Sequence, residues 1–441
     1  MIPRPADPQP VRIDLAWRDP VAAFAPLEAE NRAMLLHDGQ SGRARIFAFP
    51  DHVLSGTGAS DFAVFANAFR QGAGSGLWAG LFNYDLASAF ERLPGWDETS
   101  PDLLWARYPV WAEFDKDADR LSIHAFDTAS ASQFAARLGE DALAPVSPAA
   151  AADWRAHWEK ATYLAAAEKA RDYVHAGDIF QVNLSQRFNA DLAAADTPWA
   201  VFQRLCAGSP APHAAYFRVS PDEVVITNSP ERFLALHGDA VEARPIKGTR
   251  KRDKDRARDE ALKAELLASV KDRAENLMIV DLMRNDLSRV CRAGSVKVPS
   301  LCEVESYANV HHLVSVVTGE LLDGCDAIDL LAASFPPGSI TGAPKVRAMQ
   351  IISELEGEAR GAYCGALGWM GAEGLDLNVM IRTVTLQRTD GRWQAQLRSG
   401  GAIIADSDPL AEYEETLTKA SALRSALGAG SDEAPDTGAV G

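Results

Sequence analysis

Long apolar runs are missing from this 441-residue chain. No stretch approaches the roughly 18 apolar residues of a membrane span, which excludes a transmembrane helix. The opening residues, MIPRPADPQPVRIDLAW, carry prolines and an aspartate where a signal peptide needs an apolar core. Cysteine is scarce: Cys206, Cys291, Cys302, Cys325 and Cys364 are five, with no CxxC pair. That pattern excludes a disulfide framework and a zinc ribbon, and fits reduced thiols in the cytoplasm. Positive charge is short as well. Lys plus Arg number 44 against 61 Asp plus Glu, a net charge of −17. Such a chain is not built to bind nucleic acid or an anionic membrane through its overall field. An anionic substrate therefore needs a local constellation or a metal.

A phosphate-binding P-loop is also absent. FPPGSITGAPKVRAMQIISELE, from Phe335, has Gly338 and Gly342, but Lys345 stands too far from Gly342 for GxxxxGK[ST]. The stretch still reads as a glycine loop opening a helix near Pro344. Backbone N–H groups around Gly342 can face an anion there.

What is present suits a globular protein of one large domain or a few ordinary ones. LAPVSPAAAAD (143–153) reads as a linker between an N-terminal domain, 1–142, and a second domain, 154–427. The tail, 428–441, is too polar and glycine-rich to bury anything and is expected to be disordered. Strand-like runs (AMLLH, RIFAF, GLWAGLF, WAEFD) precede the linker, and a helical stretch runs from Trp154 to about Ala176. Strands and helices then mix without a βαβ rhythm, which predicts an α+β fold with antiparallel sheets.

Within VVITNSPERFLALHGDAVEARPIKG (224–248), one lysine stands apart. Lys247 lies between Ile246 and Gly248, clear of the solvated charges that begin at Arg250. A three-residue turn at Gly238 to Ala240 places Glu231 opposite Lys247, with Cβ atoms about 5 Å apart, on an apolar face. A two-residue turn would shift the register by one and separate the pair. Burial lowers a lysine pKa, and a depressed lysine beside a carboxyl group makes a nucleophile with an acid or base. The alternative is a structural ion pair.

KDRAENLMIVDLMRNDLSRV (271–290) is helical and apolar around its whole circumference, which predicts a buried helix. Its Arg284 can pair with Asp281 one turn away. Glu275 either reaches back to Lys271 or ligates a metal. In the C-terminal helix, capped by Asp408 and Pro409, Glu412, Glu415 and Lys419 share one face; alone this reads as a solvated salt bridge. Gly400-Gly401 is a tight turn able to offer amides to a carboxylate. Neighbours on a strand point oppositely, so only one of His311 and His312 can enter a site.

SPERF, PIKGT, DRAENLMIVDLMRND, HHLVS, GSITGAPKVRAM, YCGALGW, IRTV, ADS and EETLTK occur in this order. Together, over about 154–427, they resemble the chorismate-utilising enzymes. The resemblance implies two large antiparallel β-sheets packed as a sandwich and flanked by helices. It implies Mg²⁺ bridging the substrate's ring carboxylate to Glu275 and Glu415. It implies Tyr363 and Arg382 on the enolpyruvyl carboxylate, assistance from Gly401 and Lys419, and His312 facing the ring. Members with alanine in place of Lys247 usually make anthranilate; those with PIKGT aminate C4. For those, Lys247 attacks C2 while Glu231 protonates the departing C4 hydroxyl. Ala402 departs from the third glycine of some members. No cysteine has a glutaminase's GxCxG setting, so the resemblance implies a separate glutamine amidotransferase subunit as ammonia source. A chorismate-binding protein without activity is the alternative of another class.

Overall fold

The computed structural model describes residues 10–93, 101–139, 146, 148–150, 152–307 and 309–428. Two antiparallel sheets dominate it, one of 12 strands and one of 10. They pack face to face with helices on their outer faces, the expected α+β sandwich.

Strand composition explains the layering. Leu77–Phe82 (LWAGLF) is buried along its whole length. Alternate side chains point to opposite faces, so Leu77, Ala79 and Leu81 enter the core between the sheets, with Ala215, Phe217 and Val225 of the other sheet. Trp78 and Phe82 point outward into a second core beneath the helices Gly58–Gly72, Val270–Ser288 and Ala327–Ser334. The larger sheet behaves likewise. Val224 and Ile226 pack outward against the helices Pro198–Gly208 and Pro409–Leu427.

Strands from before residue 142 lie in both sheets. Met34–His37 pairs with His213–Ser220, and Leu77–Phe82 lies between Ala366–Gly371 and Leu103–Tyr108. The expected helix from Trp154 begins later. Asp153–Ala156 is a strand on Gln181–Asp191, and the helix runs Lys160–His175. The β-bridging Trp154 ring stacks on Phe188 at 5.2 Å, which holds this segment extended. Residues 143–145, 147 and 151 of the expected linker and, of the expected tail, all of 429–441 lie outside the described residues. Among the described residues, no helix is long and apolar enough to cross a membrane.

The helix Val270–Ser288 is buried on one face rather than all round. Ile279, Val280, Met283 and Leu287 pack inward, whereas Leu277 is 51% exposed. Arg284 and Asp281 lie on the outer side and meet at 2.7 Å, whereas Asn276 and Asp286 are buried on the inner one.

Candidate active site

A cavity of about 730 Å³ opens where the two helices Val270–Ser288 and Pro409–Leu427 flank the sheet ends. Glu231, Lys247, Glu275, His312, Tyr363, Arg382, Glu415 and Lys419 all line it. Gly400 and Gly401 form no turn: both lie in the strand Arg392–Ile403, opposite Ser185 and Leu184, and Gly401 sits between the lining residues Gly400 and Ala402. Gly342 does not face the cavity. It pairs with Val182 in the sheet, and Ser339 and Ile340 of the same loop line the wall instead.

Lys247 and Glu231 face the same cavity, within range of each other's charge, by a route different from a hairpin. The turn is two residues, Gly238-Asp239, with His237 opposite Ala240. The expected register is therefore off by one. Ile246–Lys251 leaves that meander and pairs with Val310–Glu320, Ile246 opposite Val314 and Thr249 opposite His312. The register shifts between those two pairs, so Lys247 and Gly248 form a bulge. A bulge re-aims a side chain. Gly248 makes it possible: its φ is +82°, and a Cβ there would stand 2.9 Å from Asp272 and Leu266. Glu231 lies just before the strand Arg232–His237. Its N–H donates to Ser229 Oγ at 3.1 Å, and its carbonyl accepts from Val379 N–H at 3.0 Å. Its carboxyl group accepts from Ser339 and from the Ile246 N–H.

The two groups are shifted in opposite directions. Burial pushes Glu231 up to about 7, against the pull of the Ser339 hydrogen bond and the Lys247 ammonium. Burial lowers Lys247, and the Lys419 charge adds to this; Glu275, Glu231 and Glu415 pull the other way. Both shifts move the pair toward a protonated acid beside a neutral amine. His312 is kept neutral, lowered to about 3 by burial and by Arg382. Its Nδ1 lies 2.9 Å from Thr249 Oγ1. His311 points the other way, between Ser306 and Asp259.

The opposite wall favours an anion. Arg382 has a left-handed backbone, φ +51°, unusual for a side chain of its size. Burial alone lowers its pKa, with no carboxylate among the described residues acting on it. A planar guanidinium without a counter-ion suits a bidentate carboxylate. Beside it, Tyr363 and Asn183 line the same wall, and burial raises the Tyr363 pKa.

The floor is rich in oxygen. Glu275, Glu412 and Glu415 face the cavity together. Burial raises Glu275 and Glu412, and the Glu415 charge adds to both. Glu415 goes the other way: burial would raise it, but the Lys419 ammonium at 2.6 Å prevails. A Cβ at Gly401 would stand 2.9 Å from Glu412 Oε2 and 3.8 Å from Glu415 Oε1, so bare glycine keeps a space before two carboxylates. Lys419 also donates to Gly400 O at 3.0 Å. Among the described residues, no three His, Cys, Asp or Glu side chains converge to hold a metal unaided. Glu275 and Glu415 offer carboxylate oxygens of the kind a hard cation takes, the rest of such a shell coming from water and substrate.

Sequence reasoning missed Ser339, Asn183, Arg398 and Glu412 as cavity residues. Only Glu412 carried a signal, its place on the Glu415 face. Lys345, in the glycine loop, is structural: it is buried against Asp286 at 2.5 Å and Ser334 O at 2.7 Å.

A family model described as chorismate binding enzyme matches residues 31–425. Aminodeoxychorismate synthase component 1 of Klebsiella aerogenes is 38% identical over 457 residues, 93% of this chain and 97% of that protein. The Salmonella typhimurium protein of the same name is 42% identical over 344 residues, 77% and 74% of the two chains. Among solved structures, anthranilate synthase component I from Streptococcus pneumoniae superposes with a TM-score of 0.71 at 28% identity, covering 96% and 94%. The menaquinone-specific isochorismate synthase of Escherichia coli reaches 0.76 at 18% identity, covering 96% of both chains, a likeness of fold.

Proposed function

The chain belongs to the chorismate-binding enzyme family, and on that premise we propose that it is an aminodeoxychorismate synthase component 1, which replaces the C4 hydroxyl of chorismate with an amino group. The carrying observation is one cavity holding a half-buried lysine lowered in pKa and a buried glutamic acid raised to about 7. Two relatives that share this reading by name align over three quarters or more of the chain.

Arg382 and Tyr363 hold the enolpyruvyl carboxylate by charge and hydrogen bonding. The ring carboxylate lies toward Gly400–Ala402, Glu275 and Glu415. When bound there, Mg²⁺ supplies positive charge that neutralises and orients that carboxylate. The neutral Lys247 amine forms a bond to C2, and the ring double bonds migrate. The C4 hydroxyl leaves as water with the Glu231 proton. Lys247 is then a charged secondary amine on the ring, and Glu231 a carboxylate. Ammonia adds at C4, the double bonds return, and the C2–N bond breaks to free neutral Lys247. The new C4 ammonium gives its proton to Glu231, which restores both groups. Cavity walls that fix the ring keep amine and acid at C2 and C4 together. His312, neutral, can hydrogen-bond the ring face without adding charge.

A glutamine amidotransferase subunit is the proposed ammonia source, which the words "component 1" in the relatives' names support. Five unpaired cysteines suit a reducing compartment such as the cytoplasm.

The test is a product assay: the purified chain with chorismate, Mg²⁺ and ammonium chloride at alkaline pH, then an aminodeoxychorismate lyase. 4-Aminobenzoate is the expected product, and its formation should stop on chelation of Mg²⁺. Anthranilate or isochorismate instead would overturn the reading, and no turnover would support a silent chorismate-binding protein.

A further inference from the structure

The space between the two sheets contains a second cavity, of about 720 Å³. The larger sheet contributes Thr383, Thr385 and Gln396 to its lining, and the smaller sheet's side contributes Asn83. Its inner end is formed by Tyr363 and Arg398, and these same two side chains line the substrate cavity. The cavities thus share a wall.

That wall is built around a buried ion cluster. Glu356, fully buried, accepts from Arg360 at 2.6 Å and from Arg398 at 3.1 Å. Arg398 also engages Glu358. The Arg360 guanidinium lies 5.6 Å from the Tyr363 ring centroid, and so braces the other half of the wall. Two buried polar atoms on this path meet no partner among the described residues: Arg398 Nε and Asn83 Oδ1. Their residues are 3% and 7% exposed. Buried polar groups are normally hydrogen-bonded, so a donor and an acceptor left open on one path point to a small polar visitor.

We propose that the inter-sheet cavity is the route by which ammonia reaches the substrate, with Tyr363 and Arg398 as its inner gate. The inference rests on the amination reading above. Chorismate and its cation would fill the side of the reaction chamber bounded by Glu275, Glu415 and Lys419, so the second reactant needs another approach. Amide and hydroxyl side chains solvate neutral ammonia, which both donates and accepts hydrogen bonds. The charged groups along the route are compensated: Arg155 meets Asp191 at 2.5 Å, and Glu223 is hydrogen-bonded to Gln387. At the inner end the two guanidiniums are likewise balanced, by Glu356 and Glu358, so the buried neck offers ammonium no free counter-ion to offset the loss of its hydration. The neck thereby passes the neutral nucleophile and rejects its conjugate acid.

The experiment fills the route. Thr385→Trp and, at an exposed position of the neighbouring strand, Gln396→Trp are assayed as full chains with ammonium chloride at fixed alkaline pH. The apparent KM for ammonia should rise about tenfold while the chorismate KM stays within about twofold. Two variants guard against misfolding, each checked by its thermal midpoint and by chorismate binding. An unchanged ammonia KM in a variant that still binds chorismate overturns the route. So does an equal rise in both KM values, which would mark the cavity as a support for the substrate site. If the unmodified chain forms no aminated product, the amination reading itself falls, a result separate from either of these.

Discussion

Glu231→Gln should make the protein more stable and inactive at once. In the unfolded chain a glutamate ionises near its ordinary value of 4.5, whereas in the fold burial holds Glu231 protonated up to about 7. The sign follows from which state keeps the proton. Below the ordinary value both states are protonated, and the group contributes nothing. Between there and 7 the unfolded chain has released its proton and the folded one has not, so stability falls as pH rises. Above 7 the penalty is complete. At about 1.4 kcal/mol per pH unit it amounts to about 3 kcal/mol. Glu231 is 4% exposed, so solvent screening takes little from this figure. Glutamine has the same shape and no charge to desolvate. Urea unfolding of both proteins at pH 5 and pH 8 reads the effect. The variant's advantage should be small at pH 5 and grow by about 2–3 kcal/mol at pH 8. Other raised carboxyls, Glu275 and Glu412 among them, cancel in the comparison. Activity should fall by about 10²–10⁴ for loss of a general acid. A variant no more stable at pH 8 than at pH 5, relative to the parent, would refute a buried, proton-holding Glu231.

Lys247→Ala should lose nearly all aminodeoxychorismate formation yet still bind chorismate in equilibrium titration; retained turnover would remove the nucleophile role. Arg382→Gln should raise the chorismate KM about 10- to 100-fold, the worth of charge-assisted hydrogen bonds, and an unchanged KM would place the enolpyruvyl carboxylate elsewhere. Gly248→Ala should destabilise by about 2–4 kcal/mol, from a left-handed alanine and overpacking against Asp272 and Leu266, and should lower turnover by displacing Lys247. A denaturation midpoint equal to the parent's would show that the bulge does not need glycine.

Much of the site was legible in local sequence. Lys247's isolation between Ile246 and Gly248 separated it from the charged loop, and the Glu412–Glu415–Lys419 face followed from helical period. His311 and His312 diverge as strand alternation requires. Other features depend on partners distant in sequence. Whether Ile246–Lys251 continues the hairpin or crosses to Val310–Glu320 is decided by which edge is free, and nothing within 224–248 encodes that. The proximity of Glu231 and Lys247 was anticipated through a register that does not occur; a bulge and the hydrogen bond to Ile246 N–H produce it instead. Ser339, Asn183 and Arg398 stayed hidden because each is an ordinary polar residue until the fold buries it. The all-round apolar helix misled for the converse reason: Leu277 is simply left outside.

The braiding of early and late strands has a practical outcome. Leu77–Phe82 has a neighbour on each side, Ala366–Gly371 and Leu103–Tyr108, and Met34–His37 borders His213–Ser220. Cutting the chain near residue 150 would therefore strip both sheets of inner strands and expose raw hydrogen-bonding edges on the remainder. The later portion expressed by itself should aggregate, and exchanging front portions between relatives should succeed only where both seams are matched together.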